Sequence, residues 1–128
     1  MTADYYAAHD EFTAVGEHGA LFDALPSDVA GLCRVIQGLL IHDHSGLHLY
    51  GDPPASFHRA SRETLPVSRR IIEIMTAQKA PLTEVRQPFE RTVGTCRDFS
   101  LMLCAMLRQQ GVAARVRCGF ARYFDPPS

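Results

Sequence analysis

Several features common in proteins are absent from this 128-residue sequence, and some of these absences argue against particular classes of function. There is no tryptophan, no pair of cysteines in a CxxC spacing, and no apolar run of the roughly 20 residues that a membrane span needs. The first ten residues lack a basic stretch followed by a long apolar one, so we expect no signal peptide. The net charge is −1, so nothing indicates binding to nucleic acid or to an anionic membrane.

The basic residues are almost all arginine, since Lys79 is the single lysine. This bias is typical of GC-rich bacterial genomes. Without an export signal, the four cysteines are expected to remain reduced thiols in a cytoplasm. At 46% hydrophobic and 21% charged residues, the composition is that of an ordinary globular protein with at most one domain. No phosphate loop or dinucleotide fingerprint is present, so no cofactor is expected.

Hydrophobic periodicity predicts helices in the first two thirds of the chain. Apolar residues at helical spacing predict a helix over about 28–41, with Ser27 as its N-cap. A second amphipathic helix is expected from Pro66 to about Gln78. We also predict a short helix over 4–12, and irregular structure over 42–61 and 79–94.

The clearest pattern lies between Thr95 and Gly111, where a capping residue and a glycine bracket a helix. Nearly every side of this helix is apolar, which is typical of a helix buried inside a fold. We therefore predict that Cys96 lies in its first turn. After Gly111 the period changes to two, which predicts a half-buried strand over 113–124 with arginines on its polar face.

Cys96 differs from the other cysteines in its surroundings. The other three lie in apolar patterns and are expected to be small core residues: Cys33, Cys104 and Cys118. Cys96 instead lies at a polar boundary between loop and helix, where the helix N-terminus stabilises a thiolate and first-turn N–H groups can face an oxyanion. Gly94 leaves room for a substrate backbone, and Arg97 adds positive charge that Asp98 opposes. This pattern indicates a nucleophile at Cys96, with Gly94, Thr95 and Arg97 at oxyanion or substrate-binding positions. The alternative is a cysteine in an ordinary helix cap.

The sequence Thr-Val-Gly-Thr-Cys-Arg-Asp-Phe-Ser at 92–100, continued by Leu-Arg-Gln-Gln-Gly-Val-Ala-Ala-Arg-Val at 107–116, resembles the core of the transglutaminase-like superfamily. In that family a cysteine opens a helix that ends near a glycine, and a short segment then leads into a strand. Cys96 matches the family's nucleophile. The resemblance implies a papain-like Cys-His-Asp mechanism, in which a thioester forms during acyl transfer to, or hydrolysis of, a protein or peptide amide.

The sequence departs from the family where the His and Asp of the triad are expected, on the strands that follow. All six histidines precede Cys96, and the sequence stops at Ser128. We therefore expect an incomplete α+β transglutaminase-like core, from a fragment or a natural truncation. It would comprise a mainly helical part over 1–90, then the first helix and strand of the core over 91–128. Whether the chain is an enzyme is left open, its turnover is expected to be low, and an unpaired edge of the strand would allow self-association.

Two other functions remain open beside cysteine-dependent acyl transfer. The first is a non-catalytic interaction module that keeps the same scaffold. The second is a metal-binding domain, because His42, His44 and His48 offer three imidazoles that could bind zinc, although no cysteine or carboxylate lies at a standard spacing. The plainer interpretation of this cluster is a polar loop that lines a cleft. A further alternative is that one of these histidines supplies a base to Cys96 across the fold.

Overall fold

A computed structural model describes residues 2–42, 50–51 and 65–117 of the chain. The described residues form an α+β arrangement in which helices pack around a small parallel sheet. The α-helices, in chain order, are α1 (Thr2–Ala7), α2 (Val29–Leu39), α3 (Val67–Ala77) and α4 (Cys96–Gln109). The strands are β1 (Leu40–His42) and β2 (Thr92–Gly94), and short 3-10 helices cover Gly16–Phe22 and Pro88–Glu90.

The helices begin close to the residues that the sequence predicts, with a correction at α2. Its N-cap is Asp28 rather than Ser27, because the Asp28 carboxylate accepts a hydrogen bond from the Gly31 N–H at 2.8 Å. Helix α3 begins immediately after Pro66, whose fixed φ suits the entry to a helix. The short helix expected over 4–12 lies instead over Thr2–Ala7.

Helix α4 is confirmed at both ends. Its first residue is Cys96, and a capping box of Thr95 and Asp98 precedes the first turn. At the other end Gly111 takes a positive φ of 80°. The Gly111 N–H then bonds to the Arg108 carbonyl at 2.9 Å, and the Val112 N–H bonds to the Leu107 carbonyl at 2.9 Å. These two bonds define a Schellman motif, which satisfies carbonyls that the helix itself leaves unpaired.

The two strands are three residues long and pair in parallel, with Leu40 opposite Thr92 and His42 opposite Gly94. The sequence analysis missed both, because β1 follows α2 without a break and β2 lies in a stretch predicted to be irregular. Parallel pairing requires a crossover connection, and the chain between these strands includes α3. Both α3 and α4 contact β2, so the sheet is the platform on which α4 begins.

The core lies between α2, α3 and α4. Its fully buried members are aliphatic and sulfur-containing side chains: Leu32, Leu39, Ile71, Ile74, Met102 and Met106. Helix α4 is buried on most of its surface, as its sequence predicts, although Phe99, Leu103 and Leu107 are only partly covered. Among the described residues no helix is both long and apolar enough to cross a membrane.

The segment after α4 differs from the sequence-based expectation of a strand over 113–124. Residues 112–117 have no strand assignment, and residues 118–128, including Cys118, lie outside the described part. The Ala114 N–H bonds to the Tyr6 carbonyl at 3.0 Å, and the Ala114 carbonyl accepts from Arg108 Nε at 3.0 Å. Within residues 112–117, these bonds to a helix and to a side chain take the place of a strand ladder, so the alternating pattern alone does not produce a strand there.

Candidate active site

Cys96 lies at the junction between the end of β2 and the start of α4. It is the first residue of the helix, it is exposed to solvent, and its thiol is free. Both parallel strands end at this same edge, β1 at His42 and β2 at Gly94. The carboxyl edge of a parallel sheet is where open α/β folds bind their ligands, and the first turn of a helix provides N–H groups that the helix does not use. The predicted position of Cys96 is therefore confirmed.

Gly94 is buried and allows α4 to approach β2 closely. A Cβ atom at this position would lie 3.0 Å from the Asp98 Cβ and 3.3 Å from its Oδ2, distances that real Cβ contacts rarely show. The space beside Gly94 is therefore filled by Asp98. The role in substrate binding assigned to Gly94 from the sequence stays a prediction, and the packing role is the one visible in the structure.

Asp98 fixes the start of α4 through the preceding residue. Its Oδ2 atom accepts the Thr95 backbone N–H at 2.9 Å and lies 3.3 Å from the Thr95 hydroxyl. This is the reciprocal half of the capping box, and it holds the backbone immediately before Cys96. The carboxylate is buried, with only 3% of its side chain exposed, so its charge needs a partner.

That partner is Arg70 of α3, which sequence reasoning missed. Its Nη2 atom lies 3.0 Å from Asp98 Oδ1, and its side chain is likewise only 3% exposed. The charges attract directly at this distance, although the angles are not those of a hydrogen bond. Arg70 Nη1 also donates to the Val93 carbonyl at 2.9 Å and to Glu73 at 3.1 Å. One guanidinium thus joins α3, the end of β2 and the first turn of α4.

The sequence did contain a signal for Arg70. Val67, Ile71 and Ile74 mark the buried face of α3, and Arg70 lies in the middle of that same face at helical spacing. A charged residue inside an apolar stripe is rarely buried without a partner. The pattern therefore indicates a buried ion pair, although it cannot identify Asp98 as the carboxylate.

His42 is the imidazole that strand register brings to this edge. It pairs with Gly94, two residues before Cys96, and its ring centroid lies 6.2 Å from that of Phe99. Phe99 lies one turn along α4 from Cys96, on an adjoining part of the helix surface. His9 is remote from this edge, because its Nε2 atom lies 2.8 Å from Gln109 at the other end of α4.

The other members of the predicted metal cluster, His44 and His48, lie outside the described residues. Within the described ranges, no group of three or more histidine, cysteine or acidic side chains could hold a metal ion. Of the three, His42 has a described position, beside Gly94, and the three-histidine metal site stays a prediction.

The remaining described cysteines have different environments from Cys96. Cys33 is half-buried on α2. Cys104 is buried on α4, and burial raises the pKa of its thiol against the opposing effect of Arg108. A buried thiol with a raised pKa is a poor nucleophile, as the sequence pattern indicates. Among the described cysteines, Cys96 is the exposed one.

A cleft of about 610 Å³ lies along α4 next to this site. Arg97, which follows Cys96, lines it together with Arg108 and Arg115. The Arg115 guanidinium lies over the Tyr6 ring, 5.4 Å from its centroid. Arginine side chains and aromatic rings therefore line much of the cleft, together with the carboxylate of Asp10.

Comparison with known proteins identifies the segment that contains this site. The family model described as the transglutaminase-like superfamily matches residues 65–125. The match covers α3, β2 and α4, the elements that Arg70 joins. No curated protein and no solved structure matched the chain.

Proposed function

From the premise that residues 65–125 carry the transglutaminase-like core, we propose that Cys96 is the nucleophile of a cysteine-dependent acyl transfer or amide hydrolysis. The observation that carries the proposal is the position of an exposed thiol at the first residue of a buried, doubly capped helix. A helix N-terminus favours the thiolate over the thiol, and a rigid helix holds the sulfur in place.

The reaction follows from the chemistry of the thiolate. The sulfur attacks the carbonyl carbon of a protein or peptide amide, and the carbonyl electrons move to its oxygen. First-turn N–H groups of α4 would donate to this oxyanion. The C=O bond re-forms as the C–N bond breaks, the amine leaves with the proton that the thiol gave up, and a thioester remains on Cys96. Water or a second amine attacks the thioester, which restores the thiol and releases an acid or a new amide.

His42 is the proton acceptor that we assign to Cys96. It is supported by the strand register, which pairs it with Gly94, and by its ring contact with Phe99 on α4. All six histidines of this sequence precede Cys96, and strand register places His42 at the sheet edge where Cys96 lies. His42→Ala is expected to slow Cys96 alkylation near pH 7, and His9→Ala, at the far end of α4, is the matched control.

The first experiment measures the reactivity of each cysteine towards iodoacetamide near neutral pH, by mass spectrometry of the modified peptides. We expect Cys96 to react first and selectively, because it is exposed and lies at a helix N-terminus. The half-buried Cys33 and the buried Cys104 serve as references within the same chain. If Cys96 reacts no faster than Cys33, the proposed nucleophile is wrong.

The second experiment measures turnover with a glutamine-containing peptide, by release of ammonia and by incorporation of a primary amine. Low turnover is expected, because His42 precedes Cys96 whereas the family's histidine follows the nucleophile, and a displaced general base typically costs about 10² to 10⁴ in rate. Any turnover should disappear in Cys96→Ala. Turnover that survives this substitution would exclude Cys96 as the nucleophile.

A further inference from the structure

We infer that the buried pair Arg70–Asp98 sets both the position and the electrostatic environment of Cys96, and that Arg70 and Asp98 are positioning residues for its reactivity. The inference rests on the proposed nucleophile, but it concerns two residues that the sequence analysis did not assign to that role. Its starting point is that both side chains are only 3% exposed and 3.0 Å apart.

The first part of the argument is mechanical. Asp98 Oδ2 holds the Thr95 N–H at 2.9 Å, immediately before Cys96. Arg70 holds the Val93 carbonyl at 2.9 Å, immediately before Gly94. The pair therefore holds the backbone on both sides of Gly94, where β2 ends and the chain leads through Thr95 to Cys96. The sulfur therefore cannot move far unless these buried, charge-assisted hydrogen bonds break, and such hydrogen bonds are among the stronger ones in proteins.

The second part is electrostatic. Asp98 is in the same helical turn as Cys96, and an uncompensated carboxylate there would disfavour a thiolate. The Arg70 guanidinium cancels that charge from the opposite side of the carboxylate, which leaves the favourable field of the helix N-terminus in effect. In a buried site such a charge is weakly screened, so its loss should be measurable at the sulfur.

Other charged groups face this site and must be held constant. Glu73 of α3 lies 3.1 Å from Arg70, Arg97 lies in the same turn as Cys96, and His42 lies at the end of β1. All three stay unchanged in the variants proposed here. Differences between the variants then report the charges of Arg70 and Asp98.

The test is the pH profile of Cys96 alkylation by iodoacetamide in the full chain, with Cys33 as the internal reference. Arg70→Met leaves the carboxylate uncompensated, so alkylation at pH 7 should slow by about three- to tenfold and its midpoint should move to higher pH. Asp98→Asn leaves the guanidinium with Glu73, whose side chain is 38% exposed, as its remaining carboxylate partner. Alkylation should therefore accelerate and the midpoint should move to lower pH. The double variant should return to within about twofold of the wild type.

A purely structural role for the pair would give a different result. Both single variants would loosen the start of α4, and both would change alkylation in the same direction. That result, or an absence of any change, would overturn the inference. Thermal unfolding of each variant identifies any that does not fold. If Arg70→Met fails to fold, Asp98→Asn and the charge-retaining Arg70→Lys decide, the latter being expected within about twofold of the wild type.

Failure of this inference is distinguishable from failure of the proposed function. The proposed nucleophile is tested in the wild-type chain by the rate of Cys96 relative to Cys33. The inference is tested by opposite shifts in the two single variants. If Cys96 is reactive but its pH profile is the same in both single variants, the proposed nucleophile still stands and the electrostatic role of the pair is excluded.

Discussion

Gly111 shows how one residue without a side chain ends the helix that carries the site. Its φ of 80° lies in the left-handed region, and a Cβ atom there would meet nothing within 4 Å. Gly111→Ala should therefore cost about 1 kcal/mol through backbone conformation alone. Urea unfolding measures this cost, with Gly19→Ala as the control, because Gly19 has an ordinary φ and only ordinary contacts. Equal stability of the two variants would contradict the assignment of Gly111 to a strained C-cap.

Asp10 is a second example at the scale of a single residue, because its surroundings stabilise the charged form of its carboxylate. Burial alone would raise its pKa, but the N–H groups of Thr13 and Phe12 and the Arg108 guanidinium together hold the pKa of Asp10 below its ordinary value. Both N–H groups lie 2.9 Å from Oδ1, and Arg108 Nη1 lies 3.3 Å from Oδ2.

The direction of the pH dependence follows from that lowered pKa. The stabilisation is present above about pH 4, the ordinary range of an aspartate, and is lost as the pH falls through the lower pKa of the folded state. Asp10→Asn should therefore lower the melting temperature at pH 7, and its deficit should shrink as the pH falls below about 4. Thermal unfolding between pH 2 and 7 measures this, with the exposed Asp23→Asn as control. A deficit that is independent of pH would show that the charge is not responsible. Because 56% of the Asp10 side chain is exposed, solvent screening should keep the effect small.

At the scale of elements, Ser27 and Asp28 are neighbouring candidates for the N-cap of α2. The sequence favours Ser27, whereas in the structure Asp28 accepts the Gly31 N–H at 2.8 Å. Asp28→Ala should destabilise the protein by about 1 kcal/mol, and Ser27→Ala should change stability by less than about 0.5 kcal/mol. Urea unfolding of the two variants decides between them. A larger loss in Ser27→Ala would restore the sequence-based assignment.

The elements also show why some of the fold could be predicted and some could not. Helix α4 was predictable to within a residue, because Thr95 and Gly111 are local signals that act through their own backbone. Strands β1 and β2 were not, because three residues give no measurable period and parallel pairing joins residues about fifty positions apart. The position of Cys96 could therefore be predicted, whereas its neighbours Arg70 and His42 required the pairing of distant segments.

At the scale of the whole molecule, a buried arginine outside the site connects segments that are distant in the sequence. Arg86 is 2% exposed. Its two terminal nitrogens donate to four backbone carbonyls in the segment that follows α3: those of Gln78, Ala80, Pro81 and Glu84. Its backbone N–H donates to the Gly38 carbonyl at 3.0 Å. Arg86 thus joins the chain that follows α3 to the end of α2. Burial lowers the pKa of Arg86, but an arginine stays charged at neutral pH.

Arg86→Met should destabilise the whole fold by at least about 2 kcal/mol, since each buried acceptor left without a donor costs about 1–3 kcal/mol. Arg86→Lys should recover only part of this loss, because a lysine ammonium has three donors and lacks the planar fork that reaches carbonyls on two sides. The matched control is Arg69→Met, at an exposed position of α3, which should change stability by less than about 0.5 kcal/mol. Urea unfolding measures all three variants, and the slope of the transition reports whether the fold still unfolds as one unit. If Arg86→Met is as stable as Arg69→Met, the carbonyls around Arg86 find water or other donors, and the link between α2 and α3 does not depend on this guanidinium.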